Sequence, residues 1–86
     1  MIQVGSIVKH FKYETLSDAN KAQNIYIYRI EDFAINTSDE STMVVYRAMY
    51  GNFKLFVRPY SEFVSEVDKE KYPNIKQKFR FEEVTP

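Results

Sequence analysis

Eighty-six residues make one domain with a small core and modest stability. Twelve basic side chains cancel twelve acidic ones, which argues against a general nucleic-acid binder, because such proteins need a net basic footprint. The chain has no cysteine, which excludes disulfides and thiolate chemistry, and seven Phe and seven Tyr supply most of the core bulk.

Residues 1–5 lack a basic region followed by an apolar run, so no secretory signal is expected. No apolar stretch reaches membrane-spanning length, and the expected location is the cytoplasm. Residues 4–11 read as a first strand, with either Ile7 and Phe11 or Val4 and Val8 turned inward. Residues 12–24 are a polar insert. Thr15 with Asp18 three residues on resembles a helix-start capping pattern. Ala19, Lys21, Ala22 and Gln23 suit one or two helical turns, docked by Leu16. Residues 25–35 read as the second strand. Ile25, Ile27, Phe33 and Ile35 share one parity, and Tyr26, Tyr28, Ile30 and Ala34 share the other. Such a strand is expected to bend or change face, as happens in small barrels. Residues 36–41 are a polar turn of good turn formers.

Residues 42–60 read as a central hairpin around which the chain is organised. Met43, Val44, Val45 and Tyr46 form a dense β-branched and aromatic run. Gly51 and Asn52, between Tyr50 and Phe53, suit a two-residue type II′ turn. Beyond the turn, alternation assigns Phe53, Leu55 and Val57 to the core and turns Lys54, Phe56 and Arg58 to water. Pro59 cannot donate to a ladder and ends the strand. Residues 61–67 predict a tight turn and then a short strand through Val64 and Val67. Residues 68–72 predict a single helical turn that Pro73 ends. Residues 78–84 predict the closing strand, with Phe79 and Phe81 inward and Arg80 and Glu82 outward, and residues 85–86 a frayed end. Five or so short strands with one or two helical turns predict an all-β fold, a small barrel or roll in which closure hides the strand edges, as a single domain over residues 1–86.

Four ordered blocks carry a family resemblance: Gly5 with Lys9-His10-Phe11-Lys12; Val44-Val45-Tyr46-Arg47-Ala48-Met49-Tyr50-Gly51; Val57-Arg58-Pro59 with Phe63; and Arg80-Phe81-Glu82. Over nearly the whole length the chain resembles the bacterial domain of unknown function 1653 family. The resemblance implies an SH3-like barrel roll and says nothing about activity. The chain departs from the pattern at Ile7, where many members carry Tyr, at Phe56, where Trp is common, and in the turn at residues 37–41.

Side chains that can carry chemistry are few. His10, the sole histidine, reads as a ligand-gripping or proton-carrying group, or as a strand-end residue bonded to nearby backbone. A metal site lacks its usual partner set, and no cofactor is expected. Arg58 reads either as a planar fork for a carboxylate or phosphate or as a tie to the turn at Ser61 and Glu62. Arg80 has the same two readings, with Glu82 or Glu83 as its partner. Tyr46, Tyr50, Phe56 and Tyr60 line either a stacking or proline-peptide groove, or simply the core and its rim. Two glycines leave no phosphate-cradling loop. The first expectation is therefore a non-enzymatic binding module with an aromatic-cationic patch of Phe56, Arg58, Tyr50 and His10 for a peptide, nucleotide or nucleic-acid strand. The second is self-association as a homodimer through edge strands. The third is a small hydrolase or transferase using His10 with a carboxylate.

Overall fold

Pairing of short β-branched and aromatic segments builds one antiparallel sheet. The computed structural model describes residues 2–84, so the frayed end expected at residues 85–86 lies outside the described residues. Strands β1 (Ile7–His10), β2 (Ile27–Ile35), β3 (Thr42–Ala48), β4 (Leu55–Pro59) and β5 (Phe81–Glu83) lie in the order β4-β3-β2-β1-β5. A 3-10 turn (Phe11–Thr15) and helices α1 (Asp18–Lys21) and α2 (Tyr60–Phe63) occupy the connections. Five short strands and a helical turn in the polar insert are those read from the sequence, whereas α2 and the 3-10 turn are not. The sheet itself is open rather than closed into a barrel, with β4 and β5 at its two ends. It nonetheless rolls: the Arg58 guanidinium of β4 sits 5.8 Å from the centre of the Phe81 ring of β5, at the opposite end of the strand order.

The inner face carries Val8, Tyr28, Ile30, Val44, Tyr46, Ala48 and Phe81, all buried, and Phe63 of α2 closes over them. The Phe63 and Phe81 rings stack in parallel with centres 4.0 Å apart. β2 changes face as its two apolar parities foretell: the register slips between Ile30 and Asp32, a bulge that keeps Tyr28 and Ile30 inward and then brings Phe33 against the same core. A second small cluster, Phe11, Val67 and Ile75 with Tyr72 against it, anchors the segment between α2 and β5. There Tyr72 N–H donates to Asp68 C=O at 2.8 Å, closing the helical turn expected at residues 68–72.

Several expectations are corrected. The first strand begins at Ile7, with Val8 and His10 inward and Val4 in water. The cap of α1 is Ser17, whose hydroxyl accepts from Asn20 N–H, not Thr15. Residues 61–63 belong to α2, and the short strand expected after them shrinks to a single bridge at Glu66; Val67 is buried but Val64 is exposed. Phe79 makes an isolated bridge with Glu66 and stays 40% exposed, so of the two closing phenylalanines only Phe81 reaches the core. Arg80, assigned to water, is half-buried.

The largest correction concerns β4. Leu55 and Val57 are 51% and 59% exposed, while Phe56 and Arg58 lie on the inner side, paired with Tyr46 and Val44. The turn is where it was expected: Phe53 N–H donates to Tyr50 C=O, and Gly51 has φ +58°. Phe53, however, also takes a left-handed φ of +54°, and Ala48 N–H pairs with Lys54 C=O. Residues 49–53 are therefore loop, and register against β3 rather than alternation counted from Phe53 decides which residues face in.

Candidate anion-binding cleft

His10 ends β1 on the inner face, buried against the rings of Phe11, Tyr26 and Phe81. The chain turns there into the 3-10 turn, and Lys12 N–H donates back to His10 Nδ1 at 3.1 Å. That bond assigns the tautomer: the neutral ring carries its proton on Nε2, which has no partner among the described residues.

His10 lines a cleft of about 300 Å³ whose other walls come from distant parts of the chain. Phe11 and Lys12 follow it in sequence, Arg58 comes from the end of β4, Val67, Asp68, Lys71 and Tyr72 come from the segment after α2, and Arg80 comes from just before β5. Arg80 is fixed by its backbone, whose N–H donates to Ser65 C=O at 2.8 Å, and by its Nε, which donates to Ser65 Oγ at 3.3 Å. It forms no salt bridge among the described residues. Arg58 is engaged from two sides, with Nη1 on Glu62 Oε1 at 2.6 Å and Nε on the Tyr46 hydroxyl at 3.3 Å. Burial opposes its charge, but the Tyr46 hydroxyl and Glu62 outweigh that and raise its pKa.

Four cationic side chains, Lys12, Arg58, Lys71 and Arg80, thus face one carboxylate, Asp68, whose Oδ1 already accepts from the N–H groups of Glu70 and Lys71. The field is felt by His10. Burial first, then Arg80, Arg58 and Lys12, lower its pKa from 6.5 to about 4, so at neutral pH it is an uncharged donor.

Of the sequence-predicted residues, His10, Arg58 and Arg80 meet in this cleft. Tyr46, Tyr50 and Phe56 do not. Tyr46 is core, Tyr50 shares a 2.9 Å hydroxyl–hydroxyl bond with Tyr28, and Phe56, 41% exposed, packs its ring near Tyr28 and Tyr46. Tyr60 lies apart, against Phe33. Lys12, Asp68, Lys71 and Tyr72 were missed. Lys12 alone left a trace, its place two residues after His10. The others reach the cleft through a long loop whose path no local pattern specifies. Among the described residues no group of three or more His, Cys, Asp or Glu is placed to hold a metal ion, and no helix is long and apolar enough to cross a membrane.

Residues 6–83 match the family described as "Protein of unknown function (DUF1653)". The chain belongs to this family. No curated protein and no solved structure matches it significantly. Three of the four blocks that carry the DUF1653 resemblance supply walls of the cleft: His10, Phe11 and Lys12 from the first, Arg58 from the third and Arg80 from the fourth.

Proposed function

We propose that this DUF1653 domain is a non-enzymatic binding module that takes the anionic group of a small ligand, such as the phosphate of a nucleotide, into the cleft. The observation that supports the reading is His10, a buried neutral imidazole whose Nε2–H has no partner among the described residues, on one cleft with Arg80, whose guanidinium bonds Ser65 Oγ through Nε but has no ion pair among those residues. A planar guanidinium and a neutral N–H donor on one cleft suit the fixed oxygens of a phosphate or carboxylate. The size of the cleft favours a small ligand. The balanced net charge favours one anionic group over a long polyanion. The same geometry speaks against catalysis by His10. A general base needs a free lone pair and a pKa near the working pH, whereas His10 has its lone pair tied to Lys12 N–H and its pKa near 4.

His10 is the chain's sole histidine, so its ring resonances report the cleft without ambiguity. Titration with inorganic phosphate and with adenosine monophosphate, followed by NMR, is expected to move them and to raise the His10 pKa from about 4 towards 6.5. Arg80→Gln is expected to weaken that binding by about tenfold or more. If neither probe shifts His10 beyond a sodium chloride control of equal ionic strength, the reading fails.

A further inference from the structure

At its β4 end the outer face of the sheet departs from the usual antiparallel pattern, in which the solvated face is polar; farther along it carries Arg29, Asp32 and Arg47. Register places Ala34, Met43 and Pro59 in one outer row, with Val45 and Val57 beside it and Leu55 next along β4. β4 is also an end strand, with pairing on one side only. Exposed edges are usually blunted by charge, bulges or proline. β4 has Pro59 and little else.

The hydrogen-bond phase of the hairpin identifies which peptide groups are free. Ala48 N–H donates to Lys54 C=O, so these residues form a bonded pair. Bonded and non-bonded pairs alternate along an antiparallel ladder, so Tyr46–Phe56 and Val44–Arg58 are bonded pairs too. The peptide groups of Leu55, Val57 and Pro59 therefore point away from β3, into the open edge. The missing N–H of Pro59 falls on this outward side, where it breaks no bond of the domain's own ladder.

We infer that β4 pairs antiparallel with β4 of a second copy across a two-fold axis at Val57. This register overlaps all five residues of β4. The two Val57 residues exchange N–H···O bonds across the axis, and Leu55 N–H of each copy reaches Pro59 C=O of the other. Proline's defect then leaves only the Leu55 carbonyl without a donor. On the outer face Leu55 meets Pro59 and Val57 meets Val57. On the inner side Phe56 of each copy falls opposite Arg58 of the other, so no like charges are opposed. Sliding to an axis at Arg58 would instead oppose the two guanidinium groups, which is unfavourable. This fit of the strand to itself selects a second copy of the chain over an unrelated extended segment, and the inference does not depend on the anion cleft.

Sedimentation velocity over a concentration series is expected to show a reversible monomer–dimer equilibrium. Val57→Pro removes only an N–H that the fold does not use, and is expected to weaken dimerisation by about tenfold or more. In a chain without cysteine, Val57→Cys is expected to oxidise readily to a covalent dimer, because bonded antiparallel pairs hold Cα atoms about 5.5 Å apart, within disulfide range. Ala34→Cys, on the same face but two strands away, is expected not to. A chain that stays monomeric at the highest concentration overturns the inference. So does a dimer that Val57→Pro leaves intact, or cross-linking as fast at position 34 as at 57.

Discussion

His10 shows how one buried side chain ties stability to pH. Folding lowers its pKa from 6.5 to about 4, chiefly by burial and then by the cations around it. Between those values the unfolded chain binds a proton that the native state refuses. Stability therefore falls as the pH drops from about 6.5 towards 4, and this contribution levels off below. Allowing for solvent at the cleft mouth, the loss is roughly 2 kcal/mol. Urea unfolding at pH 7 and pH 4 is expected to show a drop smaller by about that amount in His10→Gln than in the parent chain. Arg58 is the complementary case. Its bonds to Glu62 and the Tyr46 hydroxyl tie the end of β4 to α2 and the core, as the structural reading of this arginine anticipates. Arg80, without such an ion pair among the described residues, is the better probe of binding.

At the scale of elements, the β3–β4 hairpin depends on backbone conformations that few residues adopt. Gly51 holds φ +58°, and a Cβ built there would meet no atom within 4 Å, so a substitution is penalised by the backbone alone. Gly51→Ala is expected to cost about 1 kcal/mol. For a domain of this size that is a fall of roughly 4–8 °C in melting temperature, measurable by calorimetry. The left-handed Phe53 that follows lengthens the loop to residues 49–53 and leaves Lys54 opposite Ala48. Alternation along β4 was legible, since Leu55 and Val57 do share a face and Phe56 and Arg58 the other. Which face was inner was not, because Phe56 and Arg58 take their side from Tyr46 and Val44, some ten or more positions earlier.

At the scale of the whole molecule, the segment between α2 and β5 is held down by side-chain polar contacts as well as by its one bridge and its small apolar cluster. The buried Gln77 donates from Nε2 to the carbonyls of Lys9, Phe79 and Arg80, at 3.0, 2.9 and 3.3 Å. Glu14 accepts from the N–H groups of Lys76 and Gln77; these bonds outweigh a burial penalty and lower its pKa. Lys69 Nζ caps the carbonyls of Ile75 and Gln77. Gln77→Leu is expected to cost about 2 kcal/mol, because it removes a buried donor that the three carbonyls share, of which that of Arg80 keeps its bond from Phe11 N–H. It should also loosen Arg80, so thermal melting and phosphate affinity are expected to fall together. No local pattern marks Gln77, since its partners lie at β1 and just before β5. The chain by itself determined what depends on near neighbours: which segments are β-rich, the turn at Gly51, the face change in β2, the helical turn before Pro73, and the motif blocks that mark the family. The tertiary structure alone decided the open strand order, the inward side of β4, and the meeting of His10, Arg58 and Arg80. Those rest on interstrand register and on the rolling of the sheet, set by contacts between residues from about ten to several tens of positions apart, whose energies no short window of sequence contains.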